Sequence, residues 1–104
     1  MVEQSRLKSG LVLGSLYTMY FVYILESELD KSFYIGYTSN IENRVHEHNF
    51  GRTGYTKLMR PWKLVYKKEF EVKSEAIKYE RYLKRLKSKI YIVQLINKAT
   101  TLGP

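Results

Sequence analysis

Cysteine is absent from this chain, so disulfides and thiolate metal sites are excluded, and nothing argues for an oxidising compartment. The expected location is the cytoplasm. Proline is nearly absent too: Pro61 and Pro104 are the only two, and Pro61 closes Gly51 to Arg60, which reads as an exposed loop. Acidic residues are few, 10 against 18 Lys and Arg, which gives a formal charge of +8. That imbalance favours a polyanionic partner, nucleic acid or an anionic membrane surface. Thirteen of the 18 cations lie between Lys57 and Lys98. No charge at all occurs from Ser9 to Leu25, after Arg6 and Lys8, a pattern that superficially resembles a signal peptide or a short membrane span. Three tyrosines, two glycines, Ser15 and Thr18 dilute it, and its second half alternates as a strand would, so no membrane insertion is expected. Met19 is a natural start for the folded domain, which leaves residues 1–18 as a tail or a start-site artefact.

What the chain does contain is apolar and aromatic surface: 44% hydrophobic residues and ten tyrosines in 104 residues, enough to build one small core. Tyr20 to Glu26 is β-branched and aromatic and reads as a strand. Ser27 to Lys31 supplies a turn, and Ser32 to Tyr37 resumes strand composition, so the pair is expected as an antiparallel hairpin with Tyr23 opposite Tyr34. Ser39 or Asn40 would cap a helix that Asn49 or Gly51 ends. On it Ile41, Arg44, Val45 and His48 share one face while His46 points away. A third strand is expected from Trp62 to Phe70, with Trp62, Leu64 and Tyr66 alternating against Lys63, Val65 and Lys67. Ser74 would cap a second helix running to about Lys87, with Ala76, Ile77 and Leu83 as its core stripe, Tyr79 and Leu86 at its edges and Glu80 inside it. Residues 88–97 are compatible with a strand or a helix, and 99–104 read as a frayed tail around the single domain, 19–98. The expected class is α+β.

Hydrolysis of a phosphodiester needs a base to activate water, positive charge on the reacting phosphoryl group and usually a divalent ion. Tyr23, Tyr34 and His48 can exchange protons, Arg44 can hold a phosphate in its guanidinium fork, and Glu80 can bind a hard cation. Helical spacing turns Arg44, His48 and Glu80 toward the same core side. Each residue also has a plainer reading. Hairpin tyrosines are mostly packing residues, Arg44 can pair with Glu47, His48 suits a helix C-terminus, and Glu80 can pair with Lys84 in the favourable i to i+4 order. Arg52, Lys57 and Arg60 in the loop offer contacts to phosphates, Tyr55 offers a stacking surface, and Lys84 adds charge on the second helix. No phosphate-binding glycine loop, His-Glu-x-x-His, calcium loop or nucleophile elbow is present in the sequence.

Phe21-Val22-Tyr23, then Tyr34-Ile35-Gly36, Arg44, His48 four residues on, and Glu80 on the second long helix together resemble the GIY-YIG nuclease domain. The stretches Tyr34 to Asn40, Glu47-His48-Asn49 and Arg60 to Tyr66 are similar to its small single-domain bacterial members, the excinuclease C homologues. The resemblance spans about Met19 to Lys89. It implies a three-stranded antiparallel sheet flanked by helices and metal-dependent endonucleolytic cleavage of DNA, in repair or recombination, without a small-molecule cofactor. By the same resemblance Tyr23 would be the general base helped by His48, and Tyr34 would orient water or phosphate. Arg44 would stabilise developing charge, and Glu80 would bind one Mg²⁺ or Mn²⁺. Phe-Val-Tyr departs from the family pattern by losing its glycine while keeping the tyrosine, and Asn97 is the candidate counterpart of an asparagine that often follows the metal glutamate. The alternative is a non-catalytic nucleic-acid-binding module that retains the fold.

Overall fold

The computed structural model describes residues 18–51 and 54–102; nearly all of the expected N-terminal tail thus lies outside the described residues. Strands β1 (Tyr20–Ser27), β2 (Phe33–Thr38) and β3 (Trp62–Phe70) form one antiparallel sheet in the order β2-β1-β3. Helix α1 (Ile41–Asn49) follows β2, and a short 3-10 helix (Tyr55–Met59) precedes β3. Helices α2 (Lys73–Leu86) and α3 (Lys89–Leu102) complete an α+β architecture, as expected.

The central position of β1 explains its unbroken apolar run, because Val22 to Leu25 are buried on both faces of the sheet. Val22 and Ile24 point to one face, where Ala76 and Leu83 of α2 and Ile92 of α3 close over them. Tyr23 and Leu25 point to the other, against Trp62 and the α1 residues Ile41 and Val45. Fully burying each of these aliphatic side chains contributes about 1.5–3 kcal/mol.

The hairpin register differs from the expected one by two residues: Tyr23 faces Gly36, and Tyr34 faces Leu25. The cause is the turn. The Ser27 hydroxyl accepts the N–H groups of Leu29 and Asp30, Lys31 takes a left-handed conformation (φ 65°), and Asp30 accepts from Ser32, which centres the reversal later than sequence symmetry suggests. An even slip preserves the face, so both tyrosines still project to the same side. In β3 the expected alternation breaks at a bulge. Ile24 pairs with Tyr66 but Leu25 pairs with Leu64, which leaves Val65 as the extra residue and sends Tyr66 to the face opposite Trp62 and Leu64.

Asn40 caps α1, its side-chain oxygen accepting the Asn43 N–H at 3.0 Å. Ser74 does not cap α2. The helix starts at Lys73, after an extended Val72 whose carbonyl accepts from Glu75 and Ala76, so Ser74 lies within the first turn. Ser88 instead caps α3, its hydroxyl accepting the Tyr91 N–H at 3.1 Å. Ile92, Leu95 and Ile96 then present helical spacing to the core, so the segment after Ser88 resolves as helix and continues to Leu102 where a frayed tail was expected. Among the described residues no helix is long and apolar enough to cross a membrane.

Candidate active site

Three of the five expected site residues meet directly. The Tyr23 hydroxyl lies 3.0 Å from His48 Nε2, and the Tyr34 ring packs on the imidazole with centroids 4.7 Å apart and on the Tyr23 ring at 6.3 Å. Tyr23 is held by the middle of the sheet and His48 by the last turn of α1, so two rigid elements fix the contact. Gly36, opposite Tyr23, explains the glycine of the second tripeptide. A Cβ there would stand 2.6 Å from the Tyr23 hydroxyl oxygen, closer than carbon and oxygen approach, so only glycine lets the phenol lie across the neighbouring strand.

His48 is fully buried, and its Nδ1 lies 2.8 Å from the Thr56 hydroxyl, itself only 1% exposed. With Nδ1–H donating to Thr56, Nε2 offers its lone pair to the Tyr23 hydroxyl; in the other tautomer both roles reverse. Thr56 is held in turn by its carbonyl, which accepts the Trp62 indole N–H at 2.8 Å. Asn49 brackets the Trp62 backbone, donating to its carbonyl at 3.0 Å and accepting from its N–H at 2.6 Å. Thr56, Trp62 and Asn49 therefore support the site, though sequence reasoning missed all three in that role. Thr56 fell in a segment read as an exposed loop, and Asn49 read as a helix stop. The lone tryptophan carried the best signal, because a buried indole N–H demands an acceptor.

Electrostatics sort the remaining residues. Burial pushes the Tyr23 phenol well above its ordinary value, and Tyr34 adds to the rise. The charges of Glu80 and, less strongly, Glu47 also raise it, while the Arg44 guanidinium opposes them. Burial pushes His48 down and Arg44 adds to the effect, so the imidazole is neutral at neutral pH. Arg44 borders the pair and makes the ion pair with Glu47 that its plainer reading foresaw, Nε to Oε1 3.7 Å. Glu80 corrects one expectation. Its helix α2 packs on the opposite face of the sheet from Tyr23 and α1, so Glu80 and His48 do not share a core side, although the Glu80 charge still reaches the Tyr23 phenol. The reason is topological: α1 and α2 follow different strands and cover different faces. Glu80 also makes its expected i to i+4 pair with Lys84, Oε2 to Nζ 3.0 Å.

The expected nucleic-acid contacts are more dispersed. Lys57 and Arg60 are exposed and converge on Gly51, and Lys84 lies on α2. Tyr55 begins the 3-10 helix, and Arg52 lies outside the described residues. Asn97 is exposed on α3. Among the described residues no three His, Asp or Glu side chains converge into a cage for a cation. A single carboxylate of Glu80's kind, an all-oxygen donor, still suits Mg²⁺ or Mn²⁺, which takes most of its ligands from water and substrate phosphate.

A model of the GIY-YIG catalytic domain matches residues 19–97, which include every residue of this cluster. The chain belongs to the GIY-YIG family. It is similar to the UPF0213 protein YazA of Bacillus subtilis, 38% identical over 82 residues that cover 75% of this chain and 82% of that protein. A UPF0213 protein of Syntrophus aciditrophicus is 45% identical over 78 residues, 73% of this chain and 87% of the relative. The solution NMR structure of the UPF0213 protein BH0048 from Bacillus halodurans matches at a TM-score of 0.50 and 36% identity, over 76% of this chain and 83% of that one. The matched span holds both tyrosine tripeptides, Phe21-Val22-Tyr23 and Tyr34-Ile35-Gly36. Phe21 pairs with Thr38 at the end of the hairpin, two residues from Tyr23 and outside the cluster.

Proposed function

We propose that this GIY-YIG domain is a metal-dependent endonuclease that hydrolyses phosphodiester bonds in DNA. The observation that carries the reading is the buried contact between Tyr23 and a neutral His48, bordered by Arg44 and within the field of Glu80. A phenol whose own pKa is raised does not ionise unaided, but it can relay a proton to a neutral imidazole. In the proposed step, a water gives one proton to the Tyr23 oxygen as the Tyr23 proton passes to His48 Nε2. The resulting hydroxide attacks phosphorus, the bond to the leaving oxygen breaks, and that oxygen takes a proton from solvent. Such general-base assistance accelerates reactions by about 10²–10⁴-fold.

Arg44 would hold the non-bridging oxygens, where its fixed charge opposes the charge that accumulates in the transition state. Tyr34, packed at a tilt against the imidazole, would orient the substrate phosphate or the water. Glu80 would bind the Mg²⁺ or Mn²⁺, which supplies Lewis-acid stabilisation of the leaving oxygen. Only 2% of Tyr23 is exposed in the free chain, so the substrate must deliver its water to a small opening. Lys57, Arg60, Lys84, Tyr55 and Arg52 are the proposed DNA contacts, and DNA repair or recombination in the cytoplasm is the proposed setting.

The alternative, a binding module without catalysis, draws on one observation: Lys84 already occupies a Glu80 oxygen. Incubation of supercoiled, branched and linear DNA with Mg²⁺ or Mn²⁺ separates the two. Cleavage that falls at least tenfold in Tyr23→Phe supports the nuclease, whereas salt-sensitive binding without cleavage in any metal supports the module.

A further inference from the structure

On the face of the sheet that α2 and α3 cover, a groove of about 330 Å³ runs between β2 and the junction of α2 with α3. Its floor is apolar, formed by Phe33 of β2, Leu83 of α2 and Ile92 of α3. Its rim is cationic, with Lys84, Lys87 and Lys89. Tyr34 of the edge strand β2 also lines it, and Lys84 on its rim pairs with Glu80, so the groove lies on the α2 face of the sheet, across the β2 edge from the Tyr23–His48 contact. The turn that sets the rim is well defined. Lys87 takes a left-handed conformation (φ 49°) that ends α2, and Ser88 caps α3. Lys89 Nζ lies 5.6 Å from the centre of the Phe33 ring, so a face of that ring is turned to an exposed cation that a ligand can displace.

We infer that this groove seats an unpaired stretch of the DNA strand that passes around the β2 edge from the reacting phosphate, one base against Phe33 and the flanking phosphates at Lys87 and Lys89. The two surfaces select this occupant together. A duplex offers a protein surface its phosphates and keeps its bases stacked inside, so it would satisfy the lysines and leave the apolar floor unused. A free anion would do the same. A strand with exposed bases uses both, because bases stack on aromatic rings while the backbone follows a positive groove. The inference rests on the nuclease reading for the identity of the neighbouring site, but binding in the groove needs no cleavage.

The test is fluorescence anisotropy in EDTA with a labelled single-stranded oligonucleotide of about 12 nucleotides and its duplex, titrated between about 50 and 200 mM salt. The proteins are wild type, Lys87→Ala/Lys89→Ala, Phe33→Leu and the charge-matched control Lys73→Ala/Lys98→Ala, whose residues lie away from the groove. Loss of two phosphate contacts should flatten the salt slope for single strands by about 1.4, and the control pair should flatten it less. Phe33→Leu, which keeps an aliphatic core residue, should weaken single-strand binding by about 5- to 100-fold with an unchanged salt slope and leave duplex binding as it was. Equal losses in the groove and control pairs, or unchanged single-strand affinity in Phe33→Leu, overturn the inference. Groove-dependent binding by a wild type that cleaves nothing would refute the nuclease reading and leave the groove standing. Cleavage with groove-independent binding would do the reverse.

Discussion

Thr56→Val is the sharpest probe of how the site is held, because it removes one hydroxyl and almost no volume. The lost atom lies 2.8 Å from His48 Nδ1, and both residues are buried, so water does not readily replace it. Leaving a buried polar nitrogen short of this bond costs about 1–3 kcal/mol. For a domain of this size each kcal/mol lowers the melting temperature by about 4–8 °C. A second effect is chemical. With the Thr56 hydroxyl gone from Nδ1, the imidazole shifts toward the tautomer protonated at Nε2, which donates to Tyr23 and can no longer take its proton. Cleavage should therefore fall by about tenfold or more, since misplacing a general-base proton forfeits part of a 10²–10⁴-fold effect. Three measurements read this out: thermal unfolding, the ¹⁵N shifts of the His48 ring and single-turnover cleavage. Thr56→Ser should restore the ring signature and most of the rate. A Thr56→Val protein with wild-type melting temperature and unchanged His48 shifts would refute the reasoning.

Other perturbations reach the same network from different sides. Gly36→Ala drives a Cβ to 2.6 Å from the Tyr23 oxygen, so the ring must move off His48; about 1–3 kcal/mol of stability should be lost, read by urea unfolding. Lys84→Ala removes the ammonium at Glu80 and should raise Mn²⁺ affinity in the absence of DNA, measured by calorimetry; unchanged affinity would place the cation elsewhere. His48 has a folded pKa depressed by burial and Arg44, so its contribution to stability is present above its unfolded pKa of about 6.5 and is lost as pH falls below it. Unfolding free energy should accordingly decline as pH falls below about 6.5 in wild type and stay flatter in His48→Gln.

The local features of this fold were legible because local chemistry determines them. The hairpin, the Asn40 cap and the α1 face with Arg44, Val45 and His48 follow from composition and periodicity. Register was not legible, because the Ser27 and Asp30 side chains choose the turn, and symmetric counting ignores them. Nor was the bulge at Val65, which depends on how β3 meets β1. In the site, Tyr23, Tyr34 and His48 announced themselves by residue type and spacing. Thr56 did not, since its burial arises from contacts with His48 and Trp62 across the fold. Glu80 stands out in the sequence as a carboxylate in an apolar stripe, yet periodicity within one helix cannot say which face of the sheet that helix covers.

The most direct test is single-turnover cleavage of a labelled DNA with Mg²⁺ or Mn²⁺ by wild type and Glu80→Ala, after confirming that both fold and bind DNA equally in EDTA. Metal-dependent cleavage by wild type that drops about 100-fold or more in Glu80→Ala is the expected result. Equal rates in the two proteins, or no cleavage by wild type in either metal, would contradict the assignment of this site to metal-dependent phosphodiester hydrolysis.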